Sequence, residues 1–257
     1  MDRVQNAFSV LELDDNDDAN GQSSVATDDA IDISGRREQH RDDADDGKQD
    51  ALGDGTSLQN EIGEVPTSVQ TPLEYRMPLV WIDLEMTGLN IEVDRILEIA
   101  CVITDGNLTK SVEGPDLVIH QSKECLDKMG EWCQEHHGES GLTEKVLQST
   151  LSEQEAEKQV MEFVERHVGE YRPHIAGNSV YMDLLFLRKY MPNLAALFSH
   201  VIVDVSTVKA LCIRWYPRDK KRAPQKENKH RAMDDIKESI AELKFYKEHI
   251  FKSKSRK

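Results

Sequence analysis

Between residues 78 and 121 the apolar positions come in short continuous runs, "LVWIDLE", "RILEIACVITD" and "DLVIH". Their β-branched content, with Gly88, Asn90, Asp105, Gly106, Asn107, Gly114 and Pro115 as turn residues between them, predicts three consecutive strands. Connections this short imply antiparallel pairing. Beyond Gln121 the period becomes helical. Ser122 is placed to cap a helix carrying Leu126, Met129 and Trp132 on one side. "SEQE", starting at Ser152, reads as a capping box that opens a helix reaching Val168, with Ala156, Val160, Phe163 and Val164 as its apolar side. "HIAGN" is a short strand ended by a Gly-Asn turn, and "SVYMDLLFLRKYM" a helix stopped by Pro192. "HVIVDV" is a further strand running into the helix "STVKALCIRWY", stopped by Pro217. A terminal helix has Met233, Ile236, Ile240, Leu243 and Phe245 at near-helical spacing. A meander followed by alternating helix and strand predicts an α/β fold: a mixed sheet of three antiparallel strands and then two parallel ones, flanked by helices.

The first 77 residues lack any such pattern. They hold 19 Asp and Glu against 6 Lys and Arg, a net of −13 out of the chain's −16. A segment this acidic and poor in aromatics cannot bury enough surface to offset its chain entropy, so 1–77 is expected to be a disordered extension. Its one apolar cluster, "NAFSVLEL", reads as a loose tail or as a short docking helix. The folded domain is expected over 78–252, with a basic tail at 253–257.

That division changes what the overall charge means. A pI near 5.0 argues against a nucleic-acid partner, yet the acidity sits almost wholly in the extension. Arg214 to Arg231, "RWYPRDKKRAPQKENKHR", holds eight Lys or Arg and two acids, either a solvated basic loop or a field that attracts phosphates. The four cysteines form no CxxC pair, which points to a reducing compartment. Cys133-x-x-His136 with His137 lacks the partners a zinc site needs. With no apolar run long enough to span a bilayer and no Arg-rich, acid-poor leader, a cytoplasmic or nuclear location is expected, organelle import remaining open.

The chemistry begins at "WIDLEMTGL". Side chains on a strand alternate faces, so Asp83 and Glu85 project to one side, about two rises of roughly 3.3 Å apart. They are either an exposed polar face or a pair that converges on a cation. Asp183 lies near the first turn of a helix following a strand, and Asp235 in the first turns of the terminal helix, with His230 five residues earlier. Four carboxylates and an imidazole suit hard divalent cations, Mg2+ or Mn2+. Two such ions hold an attacking water and a leaving oxygen in line at a phosphodiester. His230 is either the base that deprotonates that water or a loop histidine offsetting nearby charge. Asp234 is a further ligand candidate that equally favours the helix dipole.

The segments "WIDLEMTGL", "EWCQEHHGESGL", "AGNSVYMD", "DVSTVK" and "HRAMDDI" together resemble the successive signatures of the oligoribonucleases, a histidine-containing branch of the DEDD 3′-to-5′ exonuclease superfamily. The resemblance runs from Pro78 to Phe251, and the first 77 residues find no counterpart in it. It implies an RNase H-like fold, a homodimer, two divalent ions, and short single-stranded RNA as substrate, cut to 5′-mononucleotides. It implies Asp83, Glu85, Asp183 and Asp235 as metal-binding acids and His230 as the base. Leu89 becomes a wedge between two bases and Trp132 a stacking partner. His137 and Ser179 close around the terminal 5′ phosphate, and Ser206 is a retained substrate contact. Taken alone, Leu89 is equally a plain loop apolar and Trp132 a core residue; His136 is read as structural.

One departure stands out. The Tyr-Arg pair that commonly precedes "xxDVST" in the family, and reaches the phosphate from the partner subunit, is here His200 and Val201. Val201 cannot bind a phosphate. His200 is a partial substitute, and Arg214, Arg218 or Lys220 of the basic stretch could compensate. Two competing readings remain: an exonuclease trimming longer RNA or DNA ends, and an inactive nucleic-acid-binding scaffold of the same fold.

Overall fold

Alternation along the first strand, β1 (Leu79–Met86), divides the core in two. Val80, Ile82 and Leu84 join one apolar cluster, while Leu79 and Trp81 join another on the opposite face. This computed structural model describes residues 75–224 and 231–251. The "NAFSVLEL" segment, the rest of 1–74, the basic tail, and 225–230 with His230 lie outside the described residues.

β2 (Ile96–Thr104) is buried along its whole length, because it pairs antiparallel with β1 on one side and with β3 (Ser111–Val118) on the other. β1 also pairs in parallel with β4 (His174–Gly177), which pairs in parallel with β5 (Ile202–Asp204). The resulting order, β3-β2-β1-β4-β5, is the expected mixed sheet of three antiparallel strands followed by two parallel ones.

Gly114 and Pro115 are not turn residues. Ala100 pairs with Asp116 and Val102 with Glu113, so Gly114 and Pro115 together oppose Cys101 in a bulge of β3. Proline is tolerated there because β3 is an edge strand and a bulged residue needs no ladder hydrogen bond. Gly114 meets a packing demand: a Cβ at this position would lie 2.3 Å from the Phe163 ring.

The helix expected after Ser122 is two helices. Ser122 caps α1 (Lys123–Leu126) by accepting from the Cys125 amide, and α2 (Glu131–Glu139) begins only after Gly130, whose extended backbone ends any continuity. α3 (Leu142–Gln148) was not legible in the pattern; it opens at Gly141, which takes φ 71. α4 (Glu153–Val168) carries the full Ser152–Glu155 capping box and buries Ala156, Val160 and Val164 as expected. α5 (Tyr181–Tyr190) ends before Pro192, but that proline then opens α6 (Pro192–Leu197). Pro217 likewise follows α7 (Val205–Trp215) and opens α8 (Pro217–Lys220). A missing N–H suits the first helical position as well as it suits a stop. α9 (Ala232–His249) ends the described chain.

α4, α5 and α6 cover the face of Val80, Ile82 and Leu84, through Val160, Phe186, Leu187 and Leu194. α7 and α9 cover the face of Trp81, through Val205, Cys212, Ile236 and Tyr246. The Trp81 indole N–H, fully buried there, donates to Thr104 Oγ1 at 3.0 Å. The carboxyl ends of the parallel pair β1 and β4 therefore open between two helical layers, where ligand crevices of open α/β sheets form.

Candidate active site

Asp83 and Glu85 continue the face of Leu79 and Trp81, the face that α9 covers. The first turn of α9 brings Asp235 over them, and one carboxylate oxygen of each of the three lies within 4.8 Å of the others. Asp183 arrives from the opposite layer, in the first turn of α5, and is buried. Its Oδ1 accepts the Leu84 amide at 2.9 Å, from the residue between the two strand acids. The quartet is thus three acids facing one point and a fourth tied to the backbone of the strand that carries two of them.

This concentration of charge is unfavourable by itself. Burial holds the Glu85 carboxyl well above the usual range, with the charges of Asp235, Glu98 and Asp183 adding to it and Arg231 opposing. Burial also pushes Asp183 up to about 7, against the stabilising bonds from Leu84 and its own backbone, with Asp204 adding. Carboxylates that bind protons this readily for want of a counter-charge fit a hard divalent cation, since the donor set is all oxygen and converges.

The residues expected around the acids fall in several places. Leu89 is half-buried in the β1–β2 loop, whose shape Asp94 sets by accepting from Thr87 Oγ1 and the Asn90 amide, both at 2.8 Å. Gly88 makes room for that carboxylate: a Cβ would lie 2.5 Å from Asp94 Oδ2. Trp132 is half-buried on α2 and stacks on His136, with ring centroids 3.9 Å apart. His137 is 2% exposed; its Nε2 donates to the Met86 carbonyl at 2.9 Å and its Nδ1 lies 3.9 Å from Glu85. Ser179 takes φ 56 and donates its amide to Asp204 Oδ1 at 2.9 Å. That oxygen also accepts the Ser206 hydroxyl at 2.6 Å, so Ser206 faces Asp204. Asp234 is half-buried beside Asp235, while His200 and Val201 are exposed just before β5.

Three further residues were not singled out from the pattern. Asp204 ties the turn after β4 to the start of α7. Glu98, a lone acid in an apolar strand, and Arg231 form an ion pair next to Glu85. A charged residue inside "LEIAC" was the signal available for Glu98.

Among known proteins, the exonuclease family described as RNase_T matches residues 80–243. An oligoribonuclease of Arabidopsis thaliana is 56% identical over 254 residues, covering 99% of this chain and 100% of that protein. The match takes in the acidic extension, correcting the expectation that it has no counterpart. The mitochondrial oligoribonuclease of Homo sapiens is 53% identical over 176 residues, 68% of this chain and 74% of that protein. The solved structure of E. coli exonuclease I in complex with a dA16 oligonucleotide has the same fold, with a TM-score of 0.53 at 17% identity. It covers 67% of this chain and 41% of that one.

Proposed function

The chain belongs to the oligoribonuclease family of exonucleases, and from that premise we propose that it removes 5′-mononucleotides from the 3′ end of very short RNA by metal-dependent hydrolysis. The observation that carries the reading is the convergence of Asp83, Glu85 and Asp235 within 4.8 Å beside a buried Asp183.

Asp83, Glu85 and Asp235 would hold divalent cations, Mg2+ or Mn2+ and two in number, with Asp183 completing the set. Such ions neutralise the acids and polarise the scissile phosphate. His230 accepts the proton of the attacking water at an imidazole nitrogen, and the 3′ oxygen of the preceding nucleotide leaves. Leu89 separates the two bases and Trp132 stacks on one of them, a contact that accepts any base. His137 and Ser179 form the closed end that excludes longer strands, and Ser206 is a further substrate contact. The Ser206 hydroxyl is committed to Asp204, so its contact with a substrate phosphate requires that bond to be exchanged.

A homodimer is supported by the edge of the sheet. Val201 and Ile202 at β5, Leu211 and Ile213 on α7, and Trp215, 65% exposed, leave apolar surface on and beside an edge strand of the sheet. A second copy of the chain would cover it. The exonuclease domain is assigned to 78–252, with 1–77 an appended extension. Free thiols at Cys101, Cys125, Cys133 and Cys212 favour the cytoplasm or nucleus, and among the described residues no helix is long and apolar enough to cross a membrane.

The test is Mg2+-dependent digestion of labelled RNA over lengths from two to about twenty nucleotides, with a DNA series alongside. Dinucleotides should turn over fastest and Asp83→Asn should be inactive while folded. Equal turnover of long RNA or DNA would refute the short-substrate reading, and a fully active Asp83→Asn would refute the metal assignment.

A further inference from the structure

Glu98 stands directly across the ladder from Glu85 in the β1–β2 register. Two like charges in that relation repel, yet Glu98 is completely buried. Its counter-charge is Arg231, one residue before α9 and 26% exposed at the side chain. The guanidinium meets the carboxylate as a fork: Nη2 donates to Oε1 at 2.6 Å, and Nε lies 3.2 Å from Oε1 and 3.3 Å from Oε2. The Ala232 amide also approaches Glu98 Oε2, at 3.3 Å.

These contacts converge on the end of α9 that bears the site. Arg231 is the N-cap residue of α9 and supplies no side-chain cap of its own. Glu98, reaching over from β2, takes that place by accepting a first-turn amide, where a carboxylate also complements the helix dipole. The Arg231 carbonyl in turn accepts the Asp235 amide at 3.0 Å. An unbroken chain of bonds therefore runs from the sheet through Glu98 and Arg231 to the backbone of Asp235. Neither residue belongs to the three-acid cluster. Asp116, on β3, also faces the pair, and its carboxyl is held above the usual range by burial and the Glu98 charge.

We propose that Glu98 and Arg231 are positioning residues: their buried fork locks the first turn of α9 to β2 and so sets the distance of Asp235 from Asp83 and Glu85. The inference rests on the metal-dependent reading of the site and adds to it the device that holds one ligand in place. The geometry of the fork carries the effect, and a lysine, which keeps the charge but offers no planar pair of donors, cannot reproduce it.

The experiment compares the wild type with Arg231→Lys, Arg231→Gln and Glu98→Gln. It reads Mn2+ affinity by calorimetry, the Mg2+ concentration for half-maximal dinucleotide cleavage, and metal-free melting temperature. Groups that orient metal ligands typically change metal affinity by about 10- to 100-fold. All three variants should weaken Mn2+ binding about tenfold or more, with kcat largely recovered at saturating Mg2+. Arg231→Lys should fail to restore the wild-type value. A lower melting temperature with unchanged Mn2+ affinity would overturn the proposal, as would full rescue by Arg231→Lys or a rise in substrate KM alone. Unfolding of Arg231→Lys would also overturn it, by making the pair a determinant of the fold. A wild type that neither binds Mn2+ nor needs a metal would instead refute the underlying reading of the site.

Discussion

Leu84 and Asp183, 99 residues apart in sequence, are joined by a 2.9 Å hydrogen bond from the Leu84 amide to Asp183 Oδ1. The bond fixes the amino end of α5 to the strand segment that carries Asp83 and Glu85. It therefore gives Asp183 a structural partner as well as a place beside the cluster.

Asp183→Asn separates those two duties. The amide oxygen of asparagine still accepts from Leu84, so the fold should survive, while the fourth carboxylate is lost. Cleavage of dinucleotide should fall at least about a hundredfold, beyond what loss of a merely orienting group costs. Steady-state rates together with circular dichroism check this.

The pH dependence of the metal-free protein follows from the same residue. Asp183 is raised from 3.8 to about 7, so the native state binds more protons than the unfolded state between those values. Its contribution is fully present below about pH 4 and is lost as pH rises through about 7. Glu85, also raised, acts in the same direction. In EDTA, the melting temperature of the wild type relative to Asp183→Asn should drop from pH 5 to pH 8. Added Mg2+ should reverse that drop, because a cation replaces the protons.

Trp132→Ala removes an aromatic face that the substrate base would use. Stacking of this kind is worth about 1–3 kcal/mol per base. Dinucleotide KM should rise between about fivefold and a hundredfold with kcat less affected, and unchanged KM would assign Trp132 to packing against His136 alone.

Gly114→Val tests the bulge. Any side chain there collides with the Phe163 ring, and overpacking typically costs about 1–3 kcal/mol. Urea unfolding should show the loss as a lower transition midpoint than wild type.

Much of the architecture was legible because it rests on local rules. The capping box at Ser152 and Glu155 specified the start of α4 with its own side chains. The prolines at 192 and 217 were correctly placed at boundaries, but each both follows one helix and begins another, and a missing N–H does not distinguish the two. α3 escaped notice because seven residues beginning at a left-handed glycine carry too little periodicity. Gly114 and Pro115 looked like a turn because the bulge that accommodates them exists only when β2 is alongside.

Taken by itself, the amino-acid order determined that Asp83 and Glu85 share a side of their strand, because side-chain direction along an extended backbone is set by local sterics. It also determined the antiparallel pairing of the first three strands, through the shortness of their connections. Only tertiary packing decided that Asp235 closes over those acids while Asp183 turns one oxygen to Leu84, and that Glu98 faces Glu85 with Arg231 between the sheet and α9. Distances between elements so far apart in sequence depend on how two helical layers settle on one sheet, and no local rule of the chain encodes that.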